Sequence, residues 1–305
     1  MPLVLSPFPA DAFEVPPGVD VVSYSGATAD LPPDDVLADV TMWVLPYVLS
    51  ADLRATISRM PRLEVVQAQS AGTDGIAAQI PAGVTLCNAR GVHDAATAEL
   101  GVGLIIAALR GIPAFVRAQD EQRWLAYRWW DALADKTVMI VGYGSIGQAL
   151  ERRLAGFEVE VVRVARHPRD GVHATTELPE LLPHADVVVL LTPLTDQTRH
   201  LADAGFLAAM KDGALLVNIA RGPVVDTDAL LAELETGRLR AALDVTDPEP
   251  LPAGHPLWAA PGVLISPHVA GGTTAMRPRV LALVREQVRR LAAGEELLNP
   301  VARPR

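Results

Sequence analysis

Short apolar runs of four to six residues recur along the chain. Each is followed by turn-forming residues and then by a stretch with apolar positions at helical spacing. In the first third, Leu3–Leu5, Asp20–Tyr24, Met42–Leu45 and Leu63–Ala68 read as strands, with helical stretches such as Ala51–Arg59 between them. That alternation predicts parallel sheets joined by crossover helices. From residue 136 it restarts more strongly: Val138–Val141 as a strand, Ile146–Leu154 as a helix and Val159–Val164 as a strand. Val187–Leu191, Ala214–Asn218, Ala241–Asp244 and Val263–Ser266 follow as further strands. These runs are apolar throughout, as strands covered on both faces should be.

Between the two series, residues 95–117 read as one long, mostly apolar helix that bends near Pro113. It is too apolar to lie bare in water, so the second unit or another subunit is expected to cover it. Arg279–Ala293 reads as a final helix, with apolar Val280, Leu281, Leu283, Val284, Val288 and Leu291 and a stop at Gly294.

The chain has 305 residues, enough for two domains. Its net charge of −10 speaks against a non-specific nucleic-acid binder, which needs a basic surface. A lone cysteine, Cys87, leaves no internal disulfide and no cysteine-rich metal site; we expect no metal and read Cys87 as a buried strand residue. The first residues have no basic start and are broken by prolines, unlike a signal peptide. No apolar run approaches the roughly 18–20 residues that span a bilayer. The expectation is a cytoplasmic protein without a membrane partner.

Val138-Met-Ile-Val-Gly142-Tyr-Gly144-Ser-Ile-Gly147 places G-x-G-x-x-G directly after a strand and at the start of a helix. Gly142 permits the tight turn, Gly144 lets the backbone approach a pyrophosphate, and Gly147 lets the helix pack on the strand. Ser145 and Ile146 complete the turn, whose helix N-terminus offers free N–H groups to phosphates. A site that prefers NAD usually ends its second strand with an acid that accepts the ribose hydroxyls. Here that strand ends Val164-Ala165-Arg166-His167-Pro168-Arg169, with Arg166 placed to meet a 2′-phosphate. The cofactor expected is NADP, as NADPH, with NAD possible.

Three residues near strand ends carry candidate chemistry: Arg221, Glu249 and His268. Together they supply a fixed cation for an anionic or polarised group, a proton donor, and a partner for that donor. Arg221 offers a forked, permanent charge. His268 is a natural proton donor near neutrality, and Glu249 fixes its ring and favours the imidazolium. The other six histidines, His93, His167, His173, His184, His200 and His255, read as surface or loop residues, His167 being also a candidate cofactor contact.

Four runs, 188–199, 216–226, 242–252 and 265–271, together resemble the D-isomer-specific 2-hydroxyacid dehydrogenase family, and within it the glyoxylate/hydroxypyruvate reductases. The likeness spans residues 40–300. It implies an α/β fold of two doubly wound parallel-sheet domains, with a Rossmann cofactor domain (95–276) inserted in a flavodoxin-like substrate domain (1–94, completed by 277–305). It assigns Arg221, Glu249 and His268 the same three roles, with Arg221 and His268 also touching substrate. It puts Asp244 and Thr97 beside the nicotinamide and Thr192, Ile219 and Ala220 along the cofactor, and Gly271 joins that set.

In the first unit, Gln69-Ser-Ala-Gly-Thr-Asp74 resembles the family's substrate loop, with the amides of Ala71 and Gly72 on the substrate carboxylate and Thr73 and Asp74 shaping the turn. Tyr47 is a candidate pocket wall. Trp124, Tyr127, Trp129 and Trp130 crowd one segment, which the resemblance implies wraps a partner subunit in a homodimer. The expected activity is NAD(P)H-dependent reduction of a small 2-keto acid to the D-2-hydroxy acid. The alternatives are a phosphoglycerate dehydrogenase-like enzyme, although no C-terminal regulatory domain follows the closing helix, or a non-enzymatic dinucleotide-sensing binding protein. Formate dehydrogenase is disfavoured because Glu249 stands where that branch has Gln.

Overall fold

The computed structural model describes residues 1–48 and 52–301. Its chain divides into two compact units, Met1–His93 with the described part of Thr274–Arg305, and Asp94–Thr273. In chain order the first unit contributes β1 (Leu3–Ser6), β2 (Asp20–Ser23), α1 (Asp34–Leu37), β3 (Val40–Val44), α2 (Leu53–Ile57), β4 (Val65–Gln67) and β5 (Thr85–Cys87). The second unit opens with α3 (Asp94–Leu109), α4 (Ile112–Asp120), β6 (Thr137–Val141), α5 (Ser145–Leu154), β7 (Glu160–Ala165) and β8 (His173–Ala174). It continues with α6 (Leu178–Leu181), β9 (Val187–Leu190), α7 (Ala204–Ala209), β10 (Leu215–Asn218), α8 (Thr227–Glu235), β11 (Arg240–Leu243) and β12 (Val263–Ile265). Helix α9 (Met276–Ala293) then returns to the first unit.

The first unit's sheet is parallel, in the order β2-β1-β3-β4-β5, the flavodoxin-like order. The second sheet is also parallel, in the order β12-β11-β10-β9-β6-β7-β8. Its reversal at β6/β9 is the switch point of a Rossmann fold, where ligands bind beyond the strands' C-terminal ends. Alternate residues of these strands enter opposite cores, because successive side chains point to opposite faces. Met139, Val188, Leu190 and Leu216 go to one side; Val138, Ile140, Val187, Val189 and Val217 go to the other, beneath α3 and α5. On the smaller sheet, Val280, Leu283, Val284 and Val288 of α9 cover Val4, Met42, Val44 and Cys87. Burial pushes the Cys87 thiol up, as expected of an inert core cysteine.

Several expectations need correction. The 95–117 stretch is two helices rather than one; the bend expected near Pro113 is there, 69° at Arg110–Gly111. Gly111 takes φ +67, where a side chain is disfavoured, and a Cβ there would meet the Trp130 ring at 1.9 Å. Pro113 sits in the first turn of α4, where its missing N–H costs nothing. α3 buries Ala98, Leu104, Ile105 and Leu109 against β6 and α5 of its own unit, so that unit itself covers the apolar stretch. Among the described residues no single helix is long and apolar enough to cross a membrane. The expected helix start at Ala51 lies outside the described residues. Within them, Asp52 caps α2 by accepting from the amides of Arg54 and Ala55. The two-residue β8 gave no apolar signal and was missed.

Candidate active site

The dinucleotide motif forms the turn from β6 into α5, and each glycine has a distinct reason. Gly142 takes φ +102, and its own Cβ would sit 2.6 Å from the Leu191 carbonyl carbon and 2.7 Å from Thr192 N. The segment leaving β9 therefore crosses directly over the turn. A Cβ on Gly147 would come within 3.2 Å of Ile140 Cγ2 and 3.3 Å of Gly142 O, closer than ordinary van der Waals contact. Gly144 meets only Gly142 O, at 4.0 Å, so a glycine there keeps open the space above the turn. No side chain caps α5, which leaves its first amides facing that space. Thr192 Oγ1 is buried beside the turn and is the unpartnered buried side-chain polar atom found among the described residues. An open space, an uncapped helix and an orphaned hydroxyl together fit a dinucleotide phosphate. Ser145, Ile219 and Ala220 are partly or wholly buried at the adjoining strand ends, and Thr97 is buried on α3. Ser145 Oγ donates to Asp94 at 3.2 Å.

Around the turn, Arg163 on β7 donates to both carboxylate oxygens of Glu151, which also accepts from the Tyr143 hydroxyl. The Arg163 contact holds the Glu151 carboxyl below the usual carboxylate range. Burial, and then Glu151, push the Tyr143 phenol up. Arg169 reaches back from the β7–β8 turn and donates to Tyr143 O at 2.8 Å, which pins that turn to the glycine motif. Ala165 is the last residue of β7. Arg166 follows it, exposed and without an ion pair among the described residues.

At the C-terminal ends of β10, β11 and β12 three loops meet. Gly222 is forced by contact: its Cβ would lie 1.8 Å from Thr246 O, so the Arg221 loop packs on the loop leading to Glu249. Asn218 shapes the first loop by donating to Arg221 O at 3.0 Å and accepting from Ala220 N at 3.1 Å. Arg221 itself is half-buried, with one guanidinium nitrogen on Ala220 O at 2.6 Å. His268 Nδ1 and Glu249 Oε1 lie 2.5 Å apart, and His268 Nε2 has no protein partner among the described residues. His268 holds the left-handed φ of +52. What keeps it there is Asp244, only 2 % exposed. Asp244 O accepts from His268 N at 2.7 Å. Its carboxylate takes Ser266 Oγ at 2.6 Å and the amides of Val269 and Ala270, both at 3.0 Å. Asp244 therefore acts as a loop clamp, a function its sequence context did not reveal, and Ser266 and Asn218 belong beside it. Gly271 ends this clamped segment.

In the first unit, the stretch after β4 forms the loop Gln69–Asp74, with Thr73 O accepting from Ile76 and Ala77 as the turn closes. His93 lies in a loop, as one of the two expectations had it, but it is buried there: it is 6 % exposed, with Nε2 on Gln69 O at 2.7 Å and the Tyr47 ring 5.9 Å away. In its run Asn88-Ala-Arg-Gly-Val-His93 only Ala89 and Val92 are apolar, too sparse a pattern to mark that burial. His167, His173, His184 and His200 are exposed.

Residues 121–134 form no helix or strand. Trp124, Tyr127 and Trp129 are 98 %, 83 % and 88 % exposed, which excludes a core cluster within this chain. With Phe115 and Arg128, which stacks 3.3 Å over Trp130, they line an open apolar cavity of about 1100 Å³.

Residues 102–270 match the family model for the NAD binding domain of D-isomer specific 2-hydroxyacid dehydrogenases. A glyoxylate reductase of Thermofilum pendens is 37 % identical over 251 residues, 77 % of this chain and 74 % of that one. A D-3-phosphoglycerate dehydrogenase of Methanocaldococcus jannaschii is 32 % identical over 261 residues, 82 % of this chain and 50 % of that one. A D-isomer specific 2-hydroxyacid dehydrogenase of Xanthobacter autotrophicus, solved in complex with NADPH and MES, superposes with a TM-score of 0.82 at 31 % identity, covering 99 % of this chain and 98 % of that one. The chain belongs to the D-isomer specific 2-hydroxyacid dehydrogenase family, oxidoreductases acting on a CH–OH group.

Proposed function

We propose that the protein reduces a small 2-keto acid, glyoxylate, hydroxypyruvate or a near relative, to the D-2-hydroxy acid with NADPH. The observation that carries this reading is the His268–Glu249 pair at 2.5 Å, with His268 Nε2 unengaged and the loop clamped by Asp244. When bound, the nicotinamide supplies a hydride to C2 of the keto acid. His268 Nε2 gives its proton to the oxygen at C2 as the C=O bond becomes C–O. Glu249 holds the resulting ring in orientation through Nδ1. Arg221 binds the carboxylate and polarises the keto oxygen; its fork and fixed charge suit both tasks. The amides of Ala71 and Gly72 take a second share of the carboxylate. Gly142, Gly144, Ser145, Ile146 and Gly147 would hold the pyrophosphate, and Thr97, Thr192, Ile219, Ala220, Asp244 and Gly271 the rest of the cofactor.

NADPH preference rests on Ala165 and Arg166. No acid at the end of β7 repels a 2′-phosphate, and an exposed arginine without an ion pair stands next in the chain. A charge-assisted contact of about 1.5–3 kcal/mol, eroded by solvent at an exposed site, gives a preference of roughly tenfold to a hundredfold. The test is turnover of a 2-keto acid panel with NADPH and NADH in wild type, Arg166→Ala and Ala165→Asp. Arg166→Ala should lose NADPH efficiency alone, and Ala165→Asp should shift preference toward NADH. Better wild-type use of NADH at moderate salt sinks the cofactor assignment. Absence of turnover with every acid sinks the reductase and favours a dinucleotide-sensing role.

The similarity to a phosphoglycerate dehydrogenase supports a second reading, so 3-phosphohydroxypyruvate belongs in the panel. The bare tryptophan segment supports a homodimer. Trp124→Ala with Trp129→Ala should lower the mass seen by light scattering, and an unaltered mass removes that segment from the interface.

A further inference from the structure

The loop Gln69–Asp74 has an unusual backbone arrangement. Three successive carbonyls take donors from one nearby segment, Asn88–His93. Gln69 O accepts from His93 Nε2 at 2.7 Å, Ser70 O from Ala89 N at 2.8 Å, and Ala71 O from Asn88 Nδ2 at 3.0 Å. The fourth carbonyl, of Gly72, accepts from Ser70 Oγ at 2.7 Å. In a trans peptide the N–H of the next residue points opposite to the carbonyl. The amides of Ser70, Ala71 and Gly72 therefore face away from the Asn88–His93 segment. Among the described residues, none of the amides from Ser70 to Thr73 donates to the protein. Unpaired donors turned to one side form an anion seat.

The segment that imposes this arrangement is itself held. Asn88 N donates to Asn299 O at 3.1 Å, and Asn88 O accepts from Gln67 Nε2 at 3.2 Å. Asn88 Oδ1 accepts from Arg90 N at 3.1 Å, which leaves Nδ2 aimed at the loop. A carbonyl can only accept, so His93 Nε2 carries the hydrogen in its contact with Gln69 O.

We propose that Asn88 and His93 are positioning residues: their two side-chain donors fix the peptide planes whose amides receive the substrate carboxylate. This rests on the reading of the loop as a carboxylate seat. Neither side chain touches substrate. Without either donor, the peptide plane it holds is free to rotate, and the amide beyond it is no longer committed to the anion.

The test uses the full chain with NADPH and three substrates: glyoxylate, hydroxypyruvate and the neutral glyoxylamide. Asn88→Asp removes one donor at constant shape and sets a carboxylate against Ala71 O. His93→Leu removes the other, and His93→Gln keeps a donor of similar reach. Asn88→Asp and His93→Leu should raise KM for both acids about tenfold to a hundredfold, the worth of one hydrogen bond to a charged group. kcat, NADPH affinity and the glyoxylamide rate should stay near wild type, so the preference for acid over amide shrinks. His93→Gln should recover most of the affinity for the acids. Should His93→Leu fail to fold, half-buried Asn88→Asp decides. Unchanged acid KM in a folded Asn88→Asp, or a loss that falls on kcat or NADPH binding instead, overturns the positioning role. Failure of the wild type to reduce any 2-keto acid overturns the functional reading, and this inference with it.

Discussion

The start of α5 after the β6 turn and the loop after β4 both offer unpaired backbone amides, yet they are built in opposite ways. The first is supported from within. Gly142 adopts the turn, Gly144 leaves space above it, and α5 aligns its own uncapped amides. The second has no helix. Its amides are aimed because distant donors, Asn88, Ala89 and His93, hold the carbonyls from behind. One device tolerates no side chain at a defined glycine. The other depends on its backing segment.

The largest effect expected lies outside both loops. If they only bind, removing the proposed proton donor must spare them. His268→Ala should lower kcat by about 10²–10⁴-fold while NADPH and acid binding persist, measured by stopped-flow turnover and NADPH fluorescence titration. Wild-type turnover in this variant would remove His268 from the chemistry. Next come the glycines. Gly142→Ala forces a left-handed φ and a backbone overlap, and should cost about 3 kcal/mol or more in urea unfolding. Gly144→Ala adds a methyl to open space, so stability should hold while the NADPH Kd rises at least about tenfold, the order of one lost phosphate contact. Equal destabilisation by the two would erase the distinction drawn between these glycines.

That difference in construction also governs what the sequence reveals. Gly142, Gly144 and Gly147 lie within six residues and follow a strand, so local pattern and chemistry coincide there. The apolar strands were legible for the same reason, since both faces are covered and each residue is constrained by its neighbours. Arg221, Glu249 and His268 stood out as candidates through the runs around them, and the structure pairs the last two. The clamp by Asp244 was not, because its partners Ser266, Val269 and Ala270 are more than twenty residues downstream on another strand's loop. His93 lies in a loop, one of the two places expected for it, but its burial was not legible because the partner that holds it, Gln69, is 24 residues away. The bend near Pro113 was legible from that proline, but not that Pro113 opens a new helix after Gly111 instead of kinking a single one.

Gln69 offers a smaller and sharper test of the loop's dependence on its backing. Its buried Nε2 donates to Leu45 O at 2.8 Å, which ties the loop to the end of β3. Gln69→Leu leaves that carbonyl unpaired in the core and should cost about 1–3 kcal/mol in stability. It should also raise KM for the 2-keto acid with little effect on NADPH affinity. An equal loss of affinity for both ligands would mean that the loop and the glycine turn are not independently built.

The smallest expected effect concerns the one support of the glycine turn that titrates. Arg163 holds the Glu151 carboxyl below its ordinary range, and Glu151 in turn receives the Tyr143 hydroxyl from within the motif. A carboxyl with a depressed folded-state pKa contributes stability that is present above its unfolded value, about 4.3, and is lost as pH falls through the lower folded value. The pair is partly exposed, with side chains 35 % and 21 % accessible, so solvent screening leaves about 1 kcal/mol or less. Glu151→Gln should therefore destabilise the protein by that amount at pH 7, and the difference from wild type should shrink as pH falls through the depressed folded value of Glu151. Urea unfolding at pH 7 and along a falling pH series measures it. A difference that persists unchanged at low pH would show that Glu151 supports the turn by shape and hydrogen bonding alone, leaving the glycine turn as insensitive to charge as its own three glycines.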